Sequence, residues 1–224
     1  MLSVREAAEV LGVSQKTVYR WIKEGRVPSH RLGGQHFLER SEVNNLVIRD
    51  GLAPLPSTTQ EAEDYQDITL HEMLTRGGVF YRISGTTKKD VLKNALSMVK
   101  GVDESISSPL FQMFLAREEL ASTGIGDHIA IPHARGSLVG YISQPILSLS
   151  FLENPIDYGA LDGKPVYALF LLISPNVRTH LRVLARLSFC LHAPEFKRMI
   201  LEQASRDTIL STLIQTEARL PEGS

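Results

Sequence analysis

The two most apolar runs, residues 145–151 and 166–173, constrain the fold of this chain most. Each has the length of a strand and falls far short of the roughly 20 apolar residues that a membrane helix needs. Both read as buried strands. Helical patterns surround them. Val91, Leu92, Ala95, Leu96 and Val99 recur at helical spacing behind Thr86 and Thr87, which suit the cap of a helix over 88–99. A helix or turn is expected over 68–74. Further helices are expected over 110–120, with Pro109 in the first turn, and over 179–191, 195–203 and 206–215. Residues 79–83 and 129–131 read as strands, the second entered through a loop over 121–127. Strands interleaved with helices argue an α/β (α+β) layer architecture with a mixed sheet and flanking helices.

That pattern starts only near residue 68. Residues 1–50 form a separate periodic unit, and residues 51–67, with Pro54, Pro56, Ser57 and four acids, read as a flexible linker. The expected organisation is 1–50, linker 51–67, and 68–219. The net charge of −1 hides an asymmetry. Residues 1–50 hold eight Lys/Arg and six Asp/Glu, a net of +2, so a nucleic-acid partner is permitted there. The apolar share of 43% and charged share of 22% are ordinary for a globular protein. The first residues are polar and charged, so no signal peptide is expected. The single cysteine, Cys190, excludes an intrachain disulfide and a Cys-rich zinc site. It lies in an apolar helical run and reads as a buried thiol, consistent with a reducing cytoplasm.

In the first unit, Ser3 and Glu6 form a capping box, and Ala7, Val10 and Leu11 an apolar face that ends at Gly12. Ser14 caps a second helix with the stripe Val18, Trp21 and Ile22, ended by Gly25. Two short helices joined by a tight turn are the helix-turn-helix signature. The second helix would present Gln15, Lys16, Thr17, Tyr19, Arg20 and Lys23 to phosphates and base edges. Residues 27–38, with Gly33 and Gly34 at their centre, read as a hairpin wing carrying Arg31. Ser41 would cap a third helix over 42–48. The order of motifs (2–8, 11–14, 17–22 and 25–28) resembles excisionase-type, MerR-like winged helix-turn-helix domains. Such domains often carry a further basic residue at the wing tip, where Gln35 and His36 stand here. The resemblance implies DNA binding through residues 1–50, with a homodimer or repeated sites to raise affinity.

The most chemically loaded segment is 117–135. Gly124 and Gly126 permit a tight loop with exposed amides, which favour an anion. His133 follows Pro132 at the end of a short strand, and Arg117 ends a helix upstream. A nucleophilic imidazole, a guanidinium and a Gly-rich loop can converge on a phosphoryl group. A structural histidine and a metal site are the alternatives. His128 and His133 are five apart along a strand, so they point to opposite faces, and no Cys or carboxylate cluster completes a metal site.

Residues 115–119, 122–126 and 130–133 resemble the IIA type-2 domain of the phosphoenolpyruvate-dependent sugar phosphotransferase system, the mannitol/fructose/nitrogen-regulatory class. Residues 172–175 and 180–187 resemble its second motif. The resemblance spans about 68–216. It implies that His133 accepts a phosphoryl group on Nε2 from an HPr-like phosphocarrier, that His180 is the second active-site histidine and that Arg117 contacts the phosphoryl group. Thr123, Gly124 and Gly126 would shape the loop. No cofactor and no metal are implied. The fusion favours a regulatory phosphocarrier with a regulatory protein partner or DNA output. A DNA-binding regulator whose IIA-like domain only senses phosphotransfer, and a sugar-uptake component, remain alternatives.

Overall fold

The computed structural model describes residues 2–11, 13–32, 34–39, 42–43, 65, 68–102, 104–134, 142 and 144–220. The chain divides into two compact units, Met1–Thr59 and Gln60–Ser224. The expected linker, all but Tyr65, and the expected third helix beyond Glu42 and Val43 lie outside the described residues.

In the first unit, β1 (Leu2–Ser3) leads into α1 (Val4–Leu11), and α2 (Gln15–Lys23) is followed by β2 (His30–Leu32) and β3 (Gln35–Leu38). The capping box is present. The amide of Glu6 donates to Ser3 Oγ at 3.2 Å, and that of Ser3 to Glu6 Oε2 at 2.7 Å. The Ser3 amide and hydroxyl hold the Glu6 carboxyl below the usual range. Ser14 Oγ accepts from the amide of Thr17, and α2 ends beside Gly25, whose φ of +69° suits glycine. The hairpin β2–β3 forms as expected. It gains an unforeseen third strand, because Leu2 pairs with Leu38 and Ser3 with Phe37. Two residues are too few to show a strand period. Val4, Ala7, Leu11, Val18, Trp21, Val27 and Leu38 form the core.

The second unit runs α3 (Leu70–Gly77), β4 (Val79–Ile83), α4 (Lys88–Met98), α5 (Glu104–Leu120), β5 (Gly124–Gly126), β6 (Ile129–Ala130), β7 (Ile146–Ile156), β8 (Val166–Ile173), α6 (Val177–His192), α7 (Pro194–Leu201) and α8 (Arg206–Glu217). The sheet order is β4-β7-β8-β6-β5. The β4/β7 and β6/β8 pairs are parallel, while β7/β8 and β5/β6 are antiparallel, so the sheet is mixed. The apolar runs lie at its centre, where both faces are covered. Leu169, Leu171 and Ile173 face a core shared with α4 and α5. Ala168, Phe170 and Leu172 face a core shared with α3, α6, α7 and α8.

Three expectations change. The helix expected to open at Pro109 starts at Glu104, so the proline is internal. Proline leaves one backbone carbonyl without its helical donor. The helix continues because Leu110 and Phe114 are core and Ile106 packs against them. The β7 strand runs five residues past Phe151. Its register shifts across exposed Glu153, Asn154 and Pro155 before Ile156 pairs with Val166. Residues 121–127 are partly strand. Asp127 and His128 form the two-residue turn of the β5–β6 hairpin, with φ of 49° and 66°.

Glu217 ties the helices of one face together. Its carboxylate accepts from the amide of Leu70 at 2.7 Å and pairs with Arg186 at 2.8 Å, while Arg186 Nη1 donates to the carbonyl of Ile68.

Candidate active site

His133 lies just beyond β6. It bridges to Leu172 of β8, whose amide donates to the carbonyl of Pro132 at 2.9 Å. This pairing sets the direction of the short segment from Ile131 to His133. The ring Nδ1 of His133 is 2.8 Å from the carbonyl oxygen of Ile131. A carbonyl only accepts, so Nδ1 carries the proton and Nε2 keeps a lone pair. Arg117 Nε donates to that Nε2 at 3.0 Å. The opposite edge of the guanidinium is also held, with Nη1 donating to the carbonyl of Ala121 at 2.8 Å.

His180 is the third member. The cap Asn176 starts α6, accepting from the amide of Thr179 through its side chain and from the amide of His180 through its carbonyl. This places the His180 ring 4.9 Å from that of His133, centroid to centroid, at a tilt of 52°. Burial first, then unfavourable electrostatic coupling of a protonated ring to neighbouring His133 and to the Arg117 guanidinium, pulls the His180 pKa down to about 4. Near neutral pH His180 is therefore an uncharged imidazole, with one N–H to donate. His133, His180 and Arg117, expected together, are together.

Thr123, Gly124 and Gly126 are not the open amide cradle expected. The amide of Thr123 donates to Glu118 and that of Gly124 to Ser122 Oγ. The two glycines lie buried in β5. A Cβ at Gly124 would stand 2.9 Å from the Cα of Ala160, so glycine there serves close packing. The correction follows from the hairpin: pairing and side chains consume donors that a loop would have exposed. His128, on that hairpin, stacks on Tyr167 and lies 2.7 Å from the Pro165 carbonyl through Nδ1.

Sequence reasoning assigned no role to Glu118, although it is nearly buried. A signal existed. Glu118 follows Leu110 and Phe114 at four-residue intervals, an acid on an apolar stripe.

In the first unit, Gln15, Lys16, Tyr19, Arg20 and Lys23 are exposed along α2, and Arg31 is exposed on β2. Thr17 departs from the expectation. Its amide and hydroxyl both engage Ser14 Oγ, so it stabilises the helix start. His36 packs within the unit. Its Nδ1 lies 2.9 Å from Ser29 Oγ and its ring meets Tyr19 edge-on. Arg31 pairs with His36, so both side chains lie on the α2 face of the hairpin.

Comparison with known proteins places both units. The family model of the phosphoenolpyruvate-dependent sugar phosphotransferase system, EIIA 2, matches residues 72–216, and that of a helix-turn-helix domain matches residues 1–47. A nitrogen regulatory protein of Pseudomonas aeruginosa is 31% identical over 153 residues, covering 67% of this chain and 97% of that protein. A fructose-specific EIIABC component of Bacillus subtilis is 30% identical over 147 residues, 64% of this chain but only 23% of that protein. Among solved structures, the nitrogen regulatory protein IIA-Ntr of Neisseria meningitidis aligns with a TM-score of 0.56 at 26% identity, covering 64% of this chain and 97% of that one.

Proposed function

We propose a function from one premise: this chain belongs to the phosphoenolpyruvate-dependent sugar phosphotransferase system EIIA 2 family. Its second unit accepts a phosphoryl group on Nε2 of His133 from the phosphohistidine of an HPr-like carrier, and its first unit binds DNA as an excisionase-like domain. The supporting observation is the bonding of His133. With Nδ1–H on the Ile131 carbonyl, the nucleophilic lone pair sits on Nε2, beside a guanidinium.

The transfer is an in-line displacement. Nε2 of His133 attacks phosphorus as the donor's P–N bond breaks, and that bond's electron pair returns to the donor imidazole. The new P–N bond occupies the lone pair that Arg117 now engages. Arg117 Nε–H must therefore move to a phosphoryl oxygen, where its charge stabilises the transition state. Neutral His180 donates its N–H to another oxygen. The Ile131 carbonyl keeps Nδ1–H throughout and stabilises the ring as it gains positive character. The exchange needs no cofactor.

Exposed apolar side chains adjoin the site in the chain and suit a carrier surface: Leu120 follows Arg117, Val177 and Leu181 flank His180, and Leu161 joins β5 through its amide on Gly124. The relatives named nitrogen regulatory proteins favour regulatory output, to a partner protein or to DNA, over sugar uptake. Among the described residues no helix is long and apolar enough to cross a membrane, and the cytoplasm is the proposed setting. A homodimer is the proposed DNA-binding form.

Incubation with phosphoenolpyruvate, enzyme I and HPr tests the reading. Acid-labile phosphate on the wild type, absent from His133→Ala, is expected. An unlabelled wild type, or equal labelling of the variant, overturns it.

A further inference from the structure

A buried carboxylate stands next to Arg117 in the chain. Glu118 is 7% exposed, on the inward stripe of α5. Burying a charge is costly unless it is paired and hydrogen-bonded. The Thr123 amide donates to the two oxygens of Glu118 at 3.0 and 3.2 Å, and the Thr123 hydroxyl donates at 2.6 Å. The Lys88 ammonium lies 3.4 Å away, itself 5.0 Å from the centre of the Tyr158 ring. These bonds close the reversal between α5 and β5. The chain leaves α5 at Leu120 and enters β5 at Gly124. Ala121 lies within that closed reversal, and its carbonyl is the second anchor of the Arg117 guanidinium.

We infer that Glu118 is a positioning residue for phosphoryl transfer: through Thr123 and the Ala121 carbonyl it holds the Arg117 guanidinium on Nε2 of His133, an inference that rests on the phosphoryl-acceptor reading. Arginine has a long, rotamer-rich side chain, so one anchor does not fix its fork. The clamp supplies the second anchor before a donor arrives. Thr123 thereby acts on the reaction without touching phosphate.

The test compares Glu118→Gln and Thr123→Val with Glu217→Gln in the full chain. Glu217 is also a buried carboxylate, but it bonds Leu70 of α3 and Arg186 of α6, helices that pack on the other face of the sheet. Two readouts are needed: the kcat and KM of phosphoryl uptake from phosphorylated HPr, and the ¹⁵N resonances of His133 and Arg117 Nε in the unphosphorylated protein. Both clamp variants should lose roughly 10²-fold in kcat with KM unchanged, the scale of an ångström-sized misplacement. Their Arg117 Nε–H should exchange faster with water and the His133 Nε2 resonance should shift. Glu217→Gln should lower the melting temperature while keeping kcat and both resonances. Wild-type kcat and wild-type resonances in Glu118→Gln would overturn the inference, as would an equal loss of kcat in Glu217→Gln. If Glu118→Gln does not fold, Thr123→Val decides by the same criteria. A wild type that takes up no phosphate overturns the phosphoryl-acceptor reading instead, and the resonances, which need no donor, still decide the clamp.

Discussion

The guanidinium of Arg117 donates through Nε to Nε2 of His133 at 3.0 Å. The same lone pair that would attack phosphorus is thus occupied in the resting protein, and by the group that would later bind the phosphoryl oxygens. In the proposed transfer Arg117 guards the nucleophile and then receives its product without crossing the site.

Replacing Arg117 tests that double role. Arg117→Ala should lower the rate of phosphoryl uptake by about 10²–10³-fold, the scale of losing a main donor to a developing charge. Arg117→Lys should recover only part of this, since a single ammonium cannot anchor on Ala121 and serve Nε2 together. Rapid-quench labelling of the two variants measures both numbers. Full activity in Arg117→Lys would show that charge alone is sufficient.

The depressed pKa of His180 makes a pH prediction. Its folded value, about 4, lies below the ordinary 6.5, so between these values the unfolded chain binds more protons than the folded one. Stability from the neutral ring is fully present above pH 6.5 and is lost as pH falls toward 4. Melting temperatures across that window should fall more steeply for the wild type than for His180→Gln. In an NMR titration, His180 should stay neutral until near pH 4. Phosphorylation of His133 should move that titration upward, because a nearby anion favours the imidazolium.

Glu217 joins three helices. Glu217→Gln keeps the shape but removes the charge facing Arg186 and weakens the cap on Leu70. The urea midpoint should report a loss of about 1–3 kcal/mol. An unchanged midpoint would mean that the network contributes specificity rather than stability.

The helix-turn-helix unit should show its contacts as salt dependence. Lys16 and Lys23 are exposed on α2. Lys16→Ala should weaken the full chain on duplex DNA uniformly across sequences and reduce the slope of log affinity on log salt by about 1. Arg20→Ala should change sequence preference as well, if the helix lies in the major groove. Fluorescence anisotropy at several salt concentrations reads both effects. An unaltered slope in Lys16→Ala would remove that residue from the interface.

Most elements were legible because their signals are local. Thr87 and Asp90 form a reciprocal capping box, and Ser14 caps α2, within a few residues of one another. The apolar run 166–173 needed no partner to read as a buried strand. The misread segments share one property: distant packing outweighed the local preference. Pro109 lies inside α5 because Leu110 and Phe114 pack on the sheet. The Gly-x-Gly segment is strand rather than loop because β6 pairs with it and Ala160 crowds Gly124.

The same division runs through the site. The sequence by itself determined which groups are available: a histidine after a proline, an arginine ending a helix, a second histidine opening another. Their identity as a site came from family resemblance, because no periodicity relates residues 117, 133 and 180. Only the tertiary structure decided the tautomer of His133, the neutral state of His180 and the bond from Arg117 to the reactive nitrogen. Each depends on distances between groups far apart in sequence, set when β6 pairs with β8 and α5 and α6 are laid against the sheet. A side chain's type is written in the chain, but its proton is placed by its neighbours in space.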